Sequence, residues 1–338
     1  MSTRITGFKP TGHLQLGNYV GAIRPTIAGQ HQHDTTVFIA DLQAMTVPHE
    51  PKQLNTNSYE VAALLVACGL DPATPLYVQS QLPSHFELHY LLECAATYGE
   101  MHRMIQFKEK GGGSGTRLSL LTYPALMAAD ILVHDIEEVP VGADQGQHVE
   151  LTRDIATRFN ALYGETFVVP KAVLPPVAAR LKDLSYPTAK MGKTNASAGG
   201  VLFLLDEPDV LRRKVMRAVT DDQREVRYMP ESKPGVSNLL DILSVATDRR
   251  PEELATQFDS YGELKTAVAD SVVALLAPIQ ERYRELTADP RELDRRLADG
   301  LEQVRDRAAA TVRRARSVMG LATPGDRAYT PRGVFDEV

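Results

Sequence analysis

The chain has 338 residues, a formal net charge of −6 and a pI near 5.9. That length asks for two domains or one domain with a large insert. There is no apolar run of about 18 residues to span a membrane and no apolar stretch behind the charge of residues 1–10 to make a secretory leader, and the acidic balance argues against indiscriminate nucleic-acid binding. Two cysteines, Cys68 and Cys94, are too few for a disulfide scaffold or a four-ligand zinc site and read as reduced core residues. Tryptophan is absent altogether.

In chain order, the first feature is a glycine-rich stretch over residues 7–21, with Gly7, Gly12, Gly17 and Gly21 ahead of an apolar helical pattern. Glycines let backbone approach a ligand, and a helix N-terminus offers free N–H groups to phosphate. The spacing is neither a dinucleotide fingerprint nor a Walker loop. Val37-Phe38-Ile39-Ala40 reads as a strand. Val61, Leu64, Leu65 and Cys68 predict a helix over residues 55–68 that Asp71-Pro72 breaks, and Leu76-Tyr77-Val78 is the next strand. Residues 123–132 are apolar around Asp130, whose carboxylate is expensive there unless a donor meets it.

Val139-Pro140-Val141 is a further strand, turning at Gly142 into Asp144, which with Gln147 predicts a capping box. Leu151, Ile155, Phe159 and Leu162 then predict a buried helix face. His148 and Glu150 lack a third metal ligand at a suitable spacing, so no metal site is expected. Lys190-Met191-Gly192-Lys193-Thr194 puts two lysines in a small-residue loop able to close over a polyphosphate. Alternating strands and helices predict an α/β fold with a parallel sheet, and ligands in such sheets bind beyond the carboxyl ends of the strands. After Pro208 the pattern is helical only, as at Leu239, Leu240 and Leu243, at Val268, Val272 and Leu276, and at Leu293, Leu297 and Val304.

Together these segments resemble the bacterial-type tryptophanyl-tRNA synthetases, a class I aminoacyl-tRNA synthetase family, over essentially the whole chain. Gln15-Leu16-Gly17-Asn18 stands at the HIGH-type tetrapeptide, and residues 190–194 resemble the KMSKS loop. Residues 144–156 are similar to the family's DQxQHxELTRDxA stretch, and residues 106–110 and 233–240 add to the likeness. The resemblance implies a Rossmann-like catalytic domain over residues 1–205, with a helical insert at about 82–138 and the KMSKS-like loop at 186–200. A helical anticodon-binding domain would follow over residues 206–338, with Arg313, Arg314 and Arg316 as RNA candidates beside the blander reading of a solvated face. It further implies that tryptophan is activated with ATP and Mg2+, the ion held mainly by the phosphates, and passed to tRNA(Trp) by a cytoplasmic homodimer with no membrane or DNA partner.

Carried over residue by residue, the resemblance places Lys9, Pro10, Thr11, Gly17 and Asn18 at ATP. Gly142, Ala143 and Asp144 fall on the ribose side and Leu181 at adenine. Lys190, Met191, Gly192, Lys193 and Thr194 stand at the pyrophosphate, with Lys110 as a further cation. Tryptophan would meet Ile5, Gly7, Gln43, Tyr123, Met127, Ile131, Val139, Val141 and Gln145, with Asp130 accepting the indole N–H. The catalytic weight would fall on Lys190, Lys193, Asn18 and Lys110. Lys9 replaces a common Gln and Gln43 a common His; Ala143, Gly192 and Thr194 also depart, which suggests altered sensitivity to tryptophan analogues. The alternatives are a tyrosyl-tRNA synthetase of the same subgroup and a weakly catalytic paralogue that binds RNA or a partner protein.

Overall fold

The computed structural model describes residues 1–111, 113–142, 145–173, 181–192 and 199–321. The described strands form one sheet in the order β3-β2-β1-β4-β5, where β1 is Thr3–Phe8, β2 Asp34–Ile39, β3 Leu76–Val78, β4 Glu138–Pro140 and β5 Lys171–Val173. β2 pairs with β3 in parallel, with Val37 opposite Leu76 and Ile39 opposite Val78; β1 with β4 and β4 with β5 are also parallel. The order runs outward from β1 to β3 and resumes on the other side at β4, the doubly wound arrangement expected of strands joined through helices. Val37 and Ile39 are fully buried and Phe38 nearly so, as a strand covered on both faces requires.

The helix Pro51–Ala67 follows from its sequence. Pro51 occupies the first position, and the Glu50 side chain accepts the Gln53 N–H at 2.7 Å. Val61, Leu64 and Leu65 face the core, and beyond Cys68 the chain turns at Gly69, whose φ of +103° suits glycine. From residue 208 the described chain is helical: Pro208–Met216, Pro234–Thr247, Pro251–Ala255, Tyr261–Ala288 and Pro290–Val318. All but Tyr261–Ala288 open on a proline, where the missing N–H costs nothing.

Contacts divide the chain into two compact units that interleave in sequence. One unit takes residue 1, residues 6–79 and residues 174–300, and Ile23, Leu64, Leu239, Leu243, Val268 and Val272 belong to its core. The other takes residues 2–5, 80–173 and 301–338, including the helices Ser84–Glu93, Leu118–Leu132 and Gly146–Tyr163. The loss of strand signal after residue 205 therefore marks a change of secondary structure, while contacts group residues 208–300 with the early strands. Within the first unit, the helix Pro290–Val318 lies against β3 at Gly300, where a Cβ would stand 2.2 Å from the Leu76 carbonyl oxygen.

Two expectations are corrected. Leu162 is 62% exposed: it continues the face of Leu151, Ile155 and Phe159, but it stands in the last turn of Gly146–Tyr163, just before the Gly164 cap. Cys94 is exposed at the C-terminal end of Ser84–Glu93, while Cys68 is largely covered and burial pushes its thiol up to about 12.

Candidate active site

In the first unit the chain leaves β1 at Phe8 and turns, with the Thr11 N–H donating to the Lys9 carbonyl at 2.9 Å. Gly12 follows at φ +70°. Gln15 then caps the short helix Leu16–Asn18: its Oε1 accepts the Gly17 N–H at 2.5 Å, and Asn18 Oδ1 accepts the Gln15 N–H at 3.1 Å. A Cβ on Gly17 would meet that Oε1 at 2.8 Å, so the tetrapeptide needs glycine there. Gln15 is 4% exposed, and its Nε2 donates to the Met191 carbonyl at 3.0 Å. One amide thus ties the HIGH-like turn to the start of the KMSKS-like loop. A π-type turn, Tyr19–Ile23, continues from the helix.

Residues 181–191 form a narrow antiparallel return. The Met191 N–H donates to the Leu181 carbonyl and the Asp183 N–H to the Ala189 carbonyl, each at 3.0 Å. Asp183, 3% exposed, accepts the N–H groups of Ser185 and Tyr186 at 2.8 and 3.0 Å, which turns the chain. Gly200 fits only without a side chain, since a Cβ would fall 2.0 Å from Asp183 Oδ1. The return presents Lys190 to solvent. Between it and the turn after β1 lies a cavity of about 940 Å³ lined by Lys9, Thr11, Gln15, Asn18, Asp183 and Lys190, among others. That volume suits a nucleotide, and the two ammonium groups suit its phosphates.

The predicted nucleotide residues divide accordingly. Lys9, Thr11, Asn18, Lys190, Met191 and Gly192 line the cavity, as does Gly7. Pro10 is buried behind Lys9, and Leu181 and Met191, 3% and 1% exposed, pack into the core. Leu181 is thus held as a core residue in this conformation. Lys9 Nζ donates to Thr46 Oγ1 at 3.3 Å, and the same hydroxyl donates to the Gln43 carbonyl at 2.9 Å. Lys9, one departure from the family pattern, thus reaches the backbone of the other, Gln43, through the Thr46 hydroxyl. Gly7 sits against the Phe38 ring, which a Cβ would approach to 2.5 Å.

The second unit holds the other predicted residues. Asp130 stands on Leu118–Leu132 and is 1% exposed; its Oδ1 lies 2.8 Å from His85 Nδ1, also fully buried. Tyr123 on the same helix makes a close hydrogen bond with His148 Nε2, and burial pushes its phenol well above the usual range. Ile5, Ile131 and Val139 are buried, while Met127, Val141 and Gln145 are partly exposed. Gly142 is exposed, and Gln145 is the N-cap of Gly146–Tyr163. Ala143, Asp144, Lys193 and Thr194 lie outside the described residues, and so does the Lys110 side chain. The expected capping box on Asp144 falls there too.

Sequence reasoning missed Gln15 as a brace, Asp183, and the buried histidines His85 and His134. Asp183 carried a usable signal, an Asp two residues ahead of a Ser in a turn. The histidines carried none, because nothing local tells a buried imidazole from an exposed one. Of the candidate RNA contacts, Arg314 pairs with Asp135 at 2.6 Å and Arg316 with Glu87, while Arg313 is exposed.

A parallel sheet with a glycine turn after its first strand and a lysine loop across a nucleotide-sized cavity is the architecture of a class I nucleotide-activating enzyme. The family model described as tRNA synthetases class I (W and Y) matches residues 2–277. Tryptophan–tRNA ligase 1 of Streptomyces coelicolor is 52% identical over 331 residues, covering 96% of this chain and 98% of that protein. The tryptophanyl-tRNA synthetase structure from Mycoplasma pneumoniae superposes with a TM-score of 0.83 at 34% identity, over 95% of this chain and 98% of that one. The Campylobacter jejuni enzyme, complexed with ADP and tryptophan, gives 0.83 at 30% identity, over 94% and 100%. The chain belongs to the class I tRNA synthetases for tryptophan and tyrosine.

Proposed function

We infer that the chain is a bacterial-type tryptophan–tRNA ligase, an ATP-dependent enzyme. The tryptophan carboxylate attacks the α-phosphate of ATP, pyrophosphate leaves, and the resulting tryptophanyl-adenylate gives its acyl group to the terminal ribose of tRNA(Trp). No protein nucleophile is needed, so the enzyme's work is to position the reactants and neutralise charge. The observation that carries the reading is the cavity braced by Gln15 between Asn18 and Lys190, in a chain that matches tryptophan–tRNA ligases along nearly its whole length. The relatives give the tyrosyl alternative no support.

Lys190, with Lys193 and Lys9, draws the leaving pyrophosphate; Asn18 and the backbone around Thr11 and Gly17 hold the triphosphate. Mg2+ enters on the nucleotide and shields its charge. The protein's own cations toward that charge, in the cavity lining, are Lys9 and Lys190. Asp130 accepts the indole N–H, and Tyr123, Met127, Ile131, Val139, Val141 and Gln145 complete the amino-acid side with Ile5. Residues 206–338 serve the anticodon arm. Among the described residues no helix is long and apolar enough to cross a membrane.

The enzyme works as a homodimer. What supports this is exposed apolar side chains on the second unit: Tyr98 and Leu118, 70% and 72% exposed, line one hollow, and Phe86 and Tyr90, 49% and 66% exposed, stand one turn apart on Ser84–Glu93. Lys9 and Gln43, the departures nearest the amino-acid side, alter the response to tryptophan analogues. Returning Gln43 to His with every analogue's inhibition constant unchanged would remove that part of the reading.

The deciding experiment is ATP–pyrophosphate exchange with tryptophan and tyrosine side by side, followed by charging of tRNA(Trp). Exchange with tryptophan alone is expected; exchange with tyrosine alone overturns the assignment.

A further inference from the structure

Asp130 sits in a run of apolar residues on Leu118–Leu132, where an ionised carboxylate is costly. The cost is met from the neighbouring helix Ser84–Glu93, whose His85 puts Nδ1 2.8 Å from Asp130 Oδ1 with both side chains almost wholly shielded from water. His85 is itself walled by His134, whose ring crosses it edge-on at 5.7 Å and 71°. His134 is fully buried; burial pushes its imidazole down, and His85 and Arg307 add to the effect. It therefore stays neutral and acts as a wall.

The arrangement leaves His85 little freedom, because its helix and His134 fix the ring from two sides. A carboxylate that reads an N–H must be ionised and held at one angle, since a protonated acid accepts poorly and a rotating one pairs intermittently. The reaction assigned above uses Asp130 and gives His85 no part.

We propose that His85 is a positioning residue for tryptophan selection, holding the Asp130 carboxylate in place as the acceptor of the indole N–H. This rests on the reading of Asp130 as that acceptor. His85 touches neither the reacting carboxylate nor the phosphates. Its loss therefore weakens the enzyme's preference for an amino acid bearing that N–H, and leaves the use of ATP unchanged.

The test compares tryptophan with β-(benzothiophen-3-yl)alanine, which keeps the ring shape and puts sulfur where the N–H was. ATP–pyrophosphate exchange gives kcat/KM for each amino acid in the full-length enzyme and in His85→Asn, His85→Gln, His85→Leu and Asp130→Leu. The chain has no tryptophan, so the fluorescence of added tryptophan reads its binding directly. An N–H read by a buried acceptor separates the two substrates by roughly 10- to 100-fold. His85→Leu should reduce that ratio about tenfold through the KM for tryptophan, with the KM for ATP within about twofold. Asn places an amide N–H near the Nδ1 position, so His85→Asn should keep most of the ratio. Gln carries its amide past that position, so His85→Gln should lose the ratio and stands in for His85→Leu if the latter does not fold.

If the histidine variants lose activity on both amino acids equally, with the ratio intact, His85 is only a packing residue and the proposal is overturned. If Asp130→Leu, which removes the acceptor, also keeps the ratio, the reading of Asp130 fails as well. A ratio lost in Asp130→Leu but kept in His85→Gln and His85→Leu overturns the role of His85 alone.

Discussion

Gln15 shows how much one side chain can carry. Its oxygen caps the HIGH-like helix and its nitrogen holds the Met191 carbonyl, at 4% exposure. A buried amide whose partners are lost leaves them unsatisfied, at about 1–3 kcal/mol. Gln15→Leu should therefore lower the stability by about that amount and raise the KM for ATP about tenfold, with the KM for tryptophan little changed; urea unfolding and steady-state exchange read the two effects. Lys190→Ala should lower kcat about 100-fold at unchanged fold, the usual cost of removing one preorganised charge partner from a transition state. Pre-steady-state pyrophosphate release checks it. At this scale the sequence was legible where chemistry and pattern coincided. Asp130 stood out because a carboxylate in an apolar run demands a partner. His85, that partner, is 45 positions earlier on another helix, and only the packing of the two helices reveals it.

Among the elements, β2, β3 and β4 were readable from their β-branched and apolar runs and fall where the sequence put them, give or take end residues, whereas β1, with the polar Thr3, Arg4 and Thr6 among its six residues, was not anticipated. β5, three residues with exposed Lys171 and Ala172, has no such run and was not anticipated. What pins it is charge: Glu138 on β4 accepts two hydrogen bonds from Arg4 on β1, the closer at 2.6 Å, and pairs with Lys171 on β5 at 3.0 Å. Those hydrogen bonds, from Arg4 first and Lys171 next, hold the Glu138 carboxyl down to about 2, against an ordinary value of 4.5. Because the folded value is depressed, the stabilisation is complete above about pH 4.5 and fades as the pH falls through about 2. Glu138→Gln should thus be less stable near neutral pH by about 1 kcal/mol, a figure discounted for partial exposure. The gap should close as acid is added, read as urea midpoints across that range. A helix can be pinned by the absence of a side chain instead. Gly300→Ala forces a methyl toward the Leu76 backbone and should cost about 1–3 kcal/mol, seen as a lower Tm with the KM values unchanged.

For the whole molecule, secondary structure and function were more legible in the sequence than the compact units were. Helical periodicity after residue 208 is a local signal, whereas the contacts that draw residues 208–300 to the early strands depend on tertiary packing. The same limit applies to assembly. Tyr98 and Leu118, both largely exposed, flank a small apolar hollow that includes Met101 and Ala125. Exposed apolar patches of this kind mark contact surfaces. Tyr98→Glu combined with Leu118→Glu should yield a monomer by sedimentation and lower charging activity at least tenfold; an unchanged mass removes the dimer from that face.

The close seat of Gly300 on Leu76 also bears on how the chain is made. β3 is an edge strand, and the helix that covers its backbone comes from the last part of the sequence. During synthesis the early strands leave the ribosome long before residue 300 exists, so β3 waits with open backbone groups through most of translation. A released chain ending before residue 290 should bind chaperones and strand-pairing dyes strongly. One ending after residue 320 should not, even though every described strand is already present in both.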